Sequence, residues 1–445
     1  PWFALFVPPP AAPAMPAYHL FLAPEDWAAI YKNALDGRAI GDTVLDSWDA
    51  TVPALFASGD RAFDVRVRFQ GSQWQRAGGY DATVAFGCEG PADFLPARLL
   101  SFRIGFPKYD QFRGRKALIL NKQHDWGTAD FRFHGLQART GFRLFQAAGV
   151  AAPDTRFARL RINGCDFHVV LEIERPDEEF LAARFQSEGD LFKANGCPRD
   201  VLWGGCGGPF DWADGRPLGP RGLWTADEVY AWNYERKTRP YDSHAALRAL
   251  IEELDAASHD PAQLRQALER NFAVRDTLAC FAAGNWGCVW DDAWQNYYLH
   301  RSGDDGLWRV FPWDLDQCFG GPSCCANVSA TASVWRGRSD CADNWELDPG
   351  VFAWNRFKDY FLRSFPDEYL FRLCALNETA CAPDVLEARA RADAAELRAE
   401  LAHTLLPLTP EKLAASETAL VDFVHARHAF VQAIFIPRVD PGPPL

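Results

Sequence analysis

The chain has 445 residues, with 46 Lys and Arg against 59 Asp and Glu, which gives a formal net charge of −13 at pH 7. This balance excludes a broad basic surface for nucleic acid or an anionic membrane, so any phosphate site must be local. Hydrophobic residues make up 48% and aromatic residues 14% of the chain, and this composition predicts a globular fold with a sizeable core. No run of about 18 apolar residues occurs, so the sequence predicts no transmembrane segment.

Twelve cysteines and two glycosylation sequons favour an oxidising, secreted or cell-surface compartment. The chain contains no Cys-x-x-Cys pair and no His-Glu-x-x-His motif, so we expect disulfides rather than a zinc site. The disulfide candidates are Cys197, Cys206, Cys374 and Cys381, and the first two are expected to close a local loop. The sequons predict glycosylation at Asn327 and Asn377.

Changes in composition and periodicity divide the chain into five regions. Residues 1–17 and 437–445 are Pro-rich tails, and residues 195–243 form a Gly- and Pro-rich insertion and linker. Residues 18–194 have the patterns of a β-rich region, and residues 244–436 those of a mainly helical one. The sequence therefore predicts an α+β fold in which a β-rich part precedes a helical part.

The β-rich region begins with a predicted strand at 18–22 and a helix that opens at Pro24. Polar and apolar residues then alternate over 64–69, as in a half-buried strand, and the chain continues into Gly71 and Ser72. Backbone N–H groups after such a strand can bind phosphate. A single glycine after a strand more often marks an ordinary hairpin turn than a phosphate site.

Further strands are predicted at 82–86 and 99–106, and the second carries Arg103. The guanidinium of Arg103 is a candidate phosphate ligand, and a solvated strand residue is the equal alternative. Helical spacing over 136–148 ends at a glycine. The Asn163-Gly164 pair between two apolar runs is the strongest hairpin signal in the chain.

The second half of the chain has a different character. Residues 195–223 are predicted to be a loop insertion. From His244 the apolar residues follow a helical period, and the pairs Asp260-Pro261 and Thr409-Pro410 each mark the beginning of a helix. This half is therefore predicted to be helical, apart from the stretch 284–321.

Residues 284–321 place two acidic clusters on either side of an apolar hairpin-like segment. The clusters are Asp291 with Asp292, and Asp314 with Asp316. Carboxylates among Trp, Tyr and Phe are costly to bury unless a positive group binds between them. A divalent cation that carries phosphate is the candidate for that group.

The spacing of these residues suits phosphoryl transfer. Protein kinases use an Asp to accept the proton of the acceptor hydroxyl, an Asn five residues later, and a second metal-binding Asp after two strands. Asp291 and Asn296 have this spacing, and Asp314 follows two apolar strands. The alternative for each residue alone is a turn, a helix cap or a backbone hydrogen bond.

At these residues the chain resembles the CotH family of secreted, atypical protein kinases. The main motifs are Trp290-Asp291 followed by Asn296-Tyr297-Tyr298-Leu299, and Pro312-Trp313-Asp314-Leu315-Asp316 followed by Phe319-Gly320. Shorter motifs precede them, namely Asp190-Leu191-Phe192-Lys193, Glu174 with Phe180-Leu181, Asn163-Gly164, Ala148-Gly149-Val150 and residues 67–72. The resemblance covers roughly residues 18–435.

The resemblance implies a protein-kinase-like two-lobe fold, with a β-rich N-terminal lobe and a helical C-terminal lobe. It also implies an enzyme that transfers the γ-phosphate of ATP to Ser or Thr of a secreted protein. Mg²⁺ or Mn²⁺ and ATP are the implied cofactors. Asp291 would be the catalytic base, and the metal would be held by Asn296, Asp314 and Asp316. The implied nucleotide contacts are Gly71, Ser72, Arg103, Lys193 and Glu174.

Three departures from the family pattern remove positive charge that could hold phosphate. They are Gln70-Gly71-Ser72-Gln73 in place of Arg-Gly-Asn-Ser, Leu99-Leu100-Ser101 in place of Lys-Lys-Ser, and Gln137 in place of Arg. The candidates to replace these charges are Arg98, Arg103, Lys116 and Lys193.

Three hypotheses therefore stay open. The first is an active kinase, whose partners would be ATP and a secreted protein substrate. The second is a catalytically weak or inactive surface or structural protein that acts in binding or assembly. The third is a metal hydrolase that uses the same carboxylates. The sequence also leaves open an oligomer or surface assembly, since exposed aromatic residues could form its interface.

Overall fold

The computed structural model describes residues 15–39, 50–71, 101–122, 135–185, 188–195, 211–213, 216–219, 222–223, 230–231, 234–290, 292, 295–320, 328–343, 345–348, 351–353, 355–403 and 408–435. In this part of the chain the fold is mixed α+β, with strands dominating the first half and helices the second. The α+β prediction is confirmed. The strand predicted at 82–86 lies outside the described residues.

The first half contains eight described strands and three described helices. The strands are β1 (Ala17–Phe21), β2 (Val52–Ser58), β3 (Arg61–Gln70), β4 (Ser101–Gly105), β5 (Ala117–Asn121), β6 (Thr155–Ile162), β7 (Cys165–Ile173) and β8 (Gly189–Asn195). The helices are α1 (Pro24–Ala39), α2 (Gly135–Ala147) and α3 (Glu178–Phe185).

The second half contains short strands and longer helices. Its described strands are β9 (Asp211–Ala213), β10 (Arg216–Gly219), β11 (Gly222–Leu223), β12 (Tyr234–Arg236), β13 (Gln295–Ser302), β14 (Trp308–Pro312), β15 (Trp345–Asp348) and β16 (Val351–Ala353). Its helices are α4 (Ala245–Ala257), α5 (Pro261–Asn271), α6 (Val274–Trp286), α7 (Arg356–Ser364), α8 (Pro366–Glu378), α9 (Pro383–Arg398) and α10 (Pro410–Phe435), with a short 3₁₀ turn at Leu401–His403.

Seven strands close into a barrel, in the order β1-β2-β3-β4-β5-β7-β6. Closure depends on β1, which pairs antiparallel with β2 and parallel with β6. The interior is filled by buried aromatic rings such as Tyr18, Phe56 and Phe102, each of which stabilises the fold by about 1.5–3 kcal/mol on burial. The sequence predicts several of these strands but not the barrel.

Local signals in the sequence explain where several elements begin and turn. Asn163 and Gly164 both have positive φ, 50° and 87°, as the tight turn between β6 and β7 requires. The Asn163 side chain also accepts a hydrogen bond from the backbone N–H of Leu22 at 2.9 Å. Asp260 caps α5 by accepting from the backbone N–H groups of Ala262 and Gln263.

A second sheet, in the order β12-β8-β13-β14, joins the two halves of the chain. Its strands are antiparallel, and Lys193 of β8 lies directly opposite Glu235 of β12 and Tyr298 of β13. The predicted loop insertion contains a small three-stranded sheet, β9 to β11. The prediction of a loop there is corrected for these residues, because the strands are too short to produce a periodic pattern.

Helices α7 and α8 pack against α6, whose residues 277–286 are all buried. Arg427 of α10 is fully buried and donates hydrogen bonds to the backbone carbonyls of Asn285 and Trp286, which end α6. Among the described helices, none is both long enough and apolar enough to cross a membrane.

Candidate functional site

Helix α6 leads the chain into the candidate site. It ends at Trp286 with Gly287 as its C-cap, and the next residue, Cys288, has a left-handed backbone with φ of 49°. The N–H of Val289 donates to the carbonyl of Gly284 at 3.0 Å. The helix thus fixes the segment 288–290, which runs into the predicted catalytic base Asp291. Asp291 itself lies outside the described residues.

Backbone hydrogen bonds join this segment to the turn after β14. The N–H of Trp290 donates to the carbonyl of Gln317 at 2.9 Å. The N–H of Trp313 donates to the carbonyl of Asn296 at 2.8 Å. The two acidic segments that are separate in the sequence are therefore held side by side, and Asn296 lies next to the Trp313-Asp314 turn.

Asn296 and Asp314 both adopt the left-handed region, with φ of 64° and 52°. This conformation costs most residues roughly 1–2 kcal/mol, although Asn and Asp tolerate it better than other side chains. Non-glycine residues in such conformations cluster at functional sites. Two of the three predicted metal ligands thus have a left-handed backbone, Asn296 at the irregular start of β13 and Asp314 in the turn after β14.

The electrostatic surroundings of Asp314 contain two lysines. Burial raises the pKa of the Asp314 carboxyl, while the charges of Lys193 and Lys122 act in the opposite direction. Lys193 is held on β8 between β12 and β13. Lys122 follows β5, is buried, and donates its backbone N–H to the Ser101 hydroxyl at 3.0 Å. Positive charge therefore reaches the predicted metal site from two different strands.

The oxygen donors of the site suit a hard divalent cation. Asn296 offers an amide oxygen, and Asp314 and Asp316 offer carboxylates. Within the described residues no group of three or more His, Cys, Asp or Glu side chains is arranged to hold a metal ion. Mg²⁺ in phosphoryl-transfer sites is commonly held by one or two carboxylates, by waters and by the phosphates of the substrate. The residues present fit this kind of binding.

Two of the other predicted nucleotide contacts lie on the barrel. Gly71 follows β3 and has φ of 113°, a conformation that favours glycine. Arg103 lies on β4, opposite Arg68 of β3 and Ile119 of β5. Ser72 and the candidate Arg98 lie outside the described residues.

Glu174 and Lys116 are engaged in ion pairs. Glu174 is buried, pairs with Arg184 and with Arg115 at 3.3 Å, and accepts the backbone N–H of Asp154 at 3.1 Å. Lys116 pairs with two glutamates of α3, Glu178 and Glu179. These contacts fasten α3 to the barrel, and they occupy the charge of Lys116 that could otherwise hold phosphate.

Three cations near the site do not appear in the sequence-based predictions. Lys122 could have been found, since a basic residue directly after an apolar strand is visible in the sequence. Lys358 pairs with Asp292 at 2.7 Å, and Arg336 donates to the carbonyls of Val289 and Trp290 at 3.0 and 3.3 Å. No local pattern marks these last two, because their partners lie more than forty positions away.

The disulfide prediction is wrong at Cys374 and Cys381, because both carry free thiols. Helix α8 ends between them, so Cys374 lies on the half-buried side of the helix whereas Cys381 is fully buried in the core. Burial also raises the pKa of the Cys381 thiol. Cys165 is disulfide-bonded, and Cys197 and Cys206 lie outside the described residues.

The glycosylation prediction is corrected at Asn377. Its side chain is 2% exposed, and its Oδ1 accepts a hydrogen bond from the indole N–H of Trp286 at 2.8 Å. A sequon asparagine must present its amide at the surface to accept a glycan, and this amide faces the core. The other candidate, Asn327, lies outside the described residues.

Comparison with known sequences gives two matches. The sequence model of the family described as CotH kinase protein matches residues 97–431, about three quarters of the chain. Inner spore coat protein H of Bacillus subtilis (strain 168) is 24% identical over 306 residues, which make up 69% of this chain and 69% of that protein.

Two solved structures also show some similarity. The Helicobacter pylori proinflammatory kinase CtkA is 11% identical with a TM-score of 0.33, over 75% of this chain and 95% of that one. The toxin–antitoxin system HipA, HipB of Shewanella oneidensis MR-1, in complex with its operator DNA, is 12% identical with a TM-score of 0.26, over 72% of this chain and 59% of that one. Since the family match spans most of the chain, the protein belongs to the CotH kinase protein family.

Proposed function

We propose that the protein is a Mg²⁺- or Mn²⁺-dependent protein kinase that transfers the γ-phosphate of ATP to Ser or Thr of extracellular or coat proteins. The observation that carries the proposal is the pair of lysines at Asp314. Lys193 and Lys122 bring positive charge to a carboxylate that lies beside Asn296. Carboxylates, an amide and lysines converging at one place are the groups that bind a metal and the phosphates of ATP.

In this proposal the barrel and the helical half form the two lobes of a kinase-like fold. The sheet β12-β8-β13-β14 connects them and carries Lys193, while the turn after β14 carries Asp314. The nucleotide would lie where these elements meet. The triphosphate would then face both lysines and the carboxylates.

Each residue has a separate task in the reaction. Asp291 accepts the proton of the acceptor hydroxyl, whose oxygen forms a bond to the γ-phosphorus as the bond to the β–γ bridging oxygen breaks. Asn296, Asp314 and Asp316 would hold the divalent cation, which when bound neutralises charge on the phosphates. Lys193 and Lys122 would neutralise further charge and orient the triphosphate.

The surroundings in which the protein works are also a proposal. One relative of this chain is an inner spore coat protein, which supports a coat or cell-surface location. The Cys165 disulfide fits an oxidising compartment. On this basis we propose that the substrates are secreted or coat proteins. Self-assembly of the chain at the surface belongs to the same proposal.

A second candidate function has one observation in its favour. Lys116 and Glu174 are both engaged by partners on the protein, so two residues expected near the nucleotide already serve to join α3 to the barrel. Because these two charged side chains stabilise the fold instead of facing a nucleotide, they favour a catalytically weak or inactive member of the family that acts as a surface or assembly component.

Two measurements on the purified chain separate these candidates. The first is the shift in melting temperature on addition of ATP with Mg²⁺ or Mn²⁺, and the second is transfer of labelled γ-phosphate to a Ser-rich acidic protein. A kinase gives a shift and transfer, and the Asp291→Ala variant stays folded without transfer. The exposed turn residue Asp304 provides the matched control, since Asp304→Ala should transfer normally. Absence of both the shift and the transfer would support the assembly role.

A further inference from the structure

The residue after the predicted catalytic base is held by a buried lysine. The Nζ of Lys358, on α7, lies 2.7 Å from Oδ2 of Asp292. Lys358 is 1% exposed. Its ammonium also lies 5.7 Å from the centre of the Phe281 ring, which adds a cation–π contact. A fully buried lysine is rare without a partner, and here the partner is the neighbour of Asp291.

Two glycines make room for this pair. A Cβ at Gly284, in α6, would lie 2.9 Å from Oδ2 of Asp292. A Cβ at Gly337 would lie 2.5 Å from Cδ of Lys358, and Gly337 has φ of 96° besides. Any larger side chain at either position must displace one member of the pair. The pair therefore lies in a slot shaped by α6 and by the segment 328–343.

Asp292 also borders a small cavity. Asp292 and Asn296 both line a small cavity of about 20 Å³, together with Asn355 and apolar side chains. A void leaves neighbouring atoms without packing partners and so does not fix their position. The ion pair with Lys358 is thus the contact that holds the Asp292 carboxylate beside this space.

A second buried cation holds the backbone of the same segment. Arg336 is 5% exposed and donates hydrogen bonds to the carbonyls of Val289 and Trp290. The segment 328–343 that carries Arg336 is itself attached to the helical core, since Asn285 donates to the carbonyl of Val334 at 2.9 Å. The residues on both sides of Asp291 are therefore tied to one rigid part of the molecule.

We infer that Lys358 and Arg336 are positioning residues. They hold Asp292 and the backbone of Val289 and Trp290, the described residues on either side of the proposed base, beside the turn that carries Asp314. The inference rests on the proposed kinase function, because it names the groups that place the catalytic base. Misplacing a catalytic group by about 1 Å can lower the rate about 100-fold. Loss of the Lys358 contact should therefore lower kcat more than it changes the KM for ATP.

A test must separate positioning from stability alone. Lys358→Met leaves the partly buried Asp292 charge without its partner, which by itself is destabilising. The double variant Asp292→Asn/Lys358→Met removes both charges and should recover most of the melting temperature. Gly284→Ala is a milder change, because Ala suits a helix while its Cβ displaces the Asp292 carboxylate. The exposed Lys412 supplies the control variant Lys412→Met.

The measurements are hydrogen exchange of residues 288–296, the melting temperature, and kcat and KM for ATP. In the double variant and in Gly284→Ala we expect exchange in this segment to rise about 10-fold and kcat to fall about 10-fold, with KM changed less than about twofold. Lys412→Met should match the wild type in every measurement.

The outcomes are distinct. Wild-type exchange and wild-type kcat in both the double variant and Gly284→Ala would overturn the inference. A wild-type protein that transfers no phosphate would overturn the kinase proposal instead. In that case faster exchange in the variants would still support the role of Lys358 in holding the segment, and unchanged exchange would refute it.

Discussion

Trp313 donates its backbone N–H to the carbonyl of Asn296 at 2.8 Å, so the residue before the predicted metal ligand Asp314 is hydrogen-bonded directly to a second predicted ligand. This single contact joins the β13 strand to the turn that carries Asp314. It places both left-handed residues, Asn296 and Asp314, at one end of the hairpin. The first prediction concerns the carboxylate that this contact positions.

Asp314→Asn should abolish the melting-temperature shift caused by ATP with Mn²⁺, and should lower kcat/KM at least about 100-fold, because a neutral amide holds a divalent cation less well than a carboxylate. Stability without ligand should be unchanged or higher, since burial raises the pKa of Asp314 and so disfavours its charge. Thermal unfolding with and without ligand measures both effects. A variant that unfolds at lower temperature without ligand would contradict this account of the charge.

The lysines near Asp314 give the second prediction. Lys193→Met and Lys122→Met should each raise the KM for ATP about 10-fold, since a hydrogen bond to a charged group contributes about 1.5–3 kcal/mol. Lys116→Met is the matched control, because Lys116 is paired with Glu178 and Glu179. Its KM should equal that of the wild type. An equal rise in the KM for ATP in all three variants would show that losing any of these positive charges weakens ATP binding, whatever the position of the lysine.

Signals within a few residues made parts of the fold predictable. Asn163-Gly164 specifies its turn, and Asp260-Pro261 specifies a helix start, because the interactions are made within the turn itself. The pairing of β1 with β6 spans about 140 positions, and strand periodicity carries no information about such distant partners. The barrel therefore could not be predicted from pattern alone.

The same limit applies to the candidate site. The order of Asp291, Asn296 and Asp314 indicates its chemistry, because kinases use these residue types at this spacing. The contact between Lys358 and Asp292 crosses 66 positions, so it follows from the packing of α7 and not from any motif. At Asn377 a local motif is present but the predicted modification is wrong, because a sequon carries no information about burial and the fold buries this side chain.

The buried amide of Asn377 gives the third prediction. Asn377→Ala should cost about 1–3 kcal/mol of unfolding free energy, because it leaves the indole N–H of Trp286 buried without an acceptor. Thr379→Ala breaks the same sequon and keeps the Asn377 amide. When both are produced in a host that attaches N-glycans, Thr379→Ala should show no loss of glycan mass at this site. A glycan found on Asn377 would contradict the buried position of its amide.

Arg427 gives the fourth prediction. Its guanidinium is fully buried and donates to the backbone carbonyls of Asn285, Trp286, Ala330 and Ala332. Arg427→Met should lower the unfolding free energy by about 3–5 kcal/mol, because several buried carbonyls lose their donor at once.

Urea unfolding measures this loss. The control for Arg427→Met is Arg391→Met, since the Arg391 side chain is 57% exposed and its buried partner Glu417 keeps a second ion pair with Arg398. That variant should lose less than about 1 kcal/mol. Equal losses in the two variants would contradict a special role for the buried arginine at the end of α6.

The fifth prediction concerns pH. Burial lowers the pKa of His168 to about 3 and that of His300 to about 4, from an unfolded value of about 6.5. Both side chains are therefore neutral in the folded protein at pH 5, whereas the unfolded chain binds the protons. The unfolded state then gains stability as the pH falls below about 6.5, and each histidine should cost about 2 kcal/mol at pH 5 relative to pH 7.5.

Urea unfolding at pH 7.5 and pH 5 tests this sign. His300→Gln should lose less stability between the two pH values than the wild type does, by about 2 kcal/mol. The exposed His259 supplies the control, and His259→Gln should keep the wild-type slope. The Asp177 carboxyl, whose pKa burial raises to about 6, acts in the opposite direction but is the same in all three proteins. A His300→Gln variant with the full wild-type slope would show that His300 is charged in the folded state at pH 5.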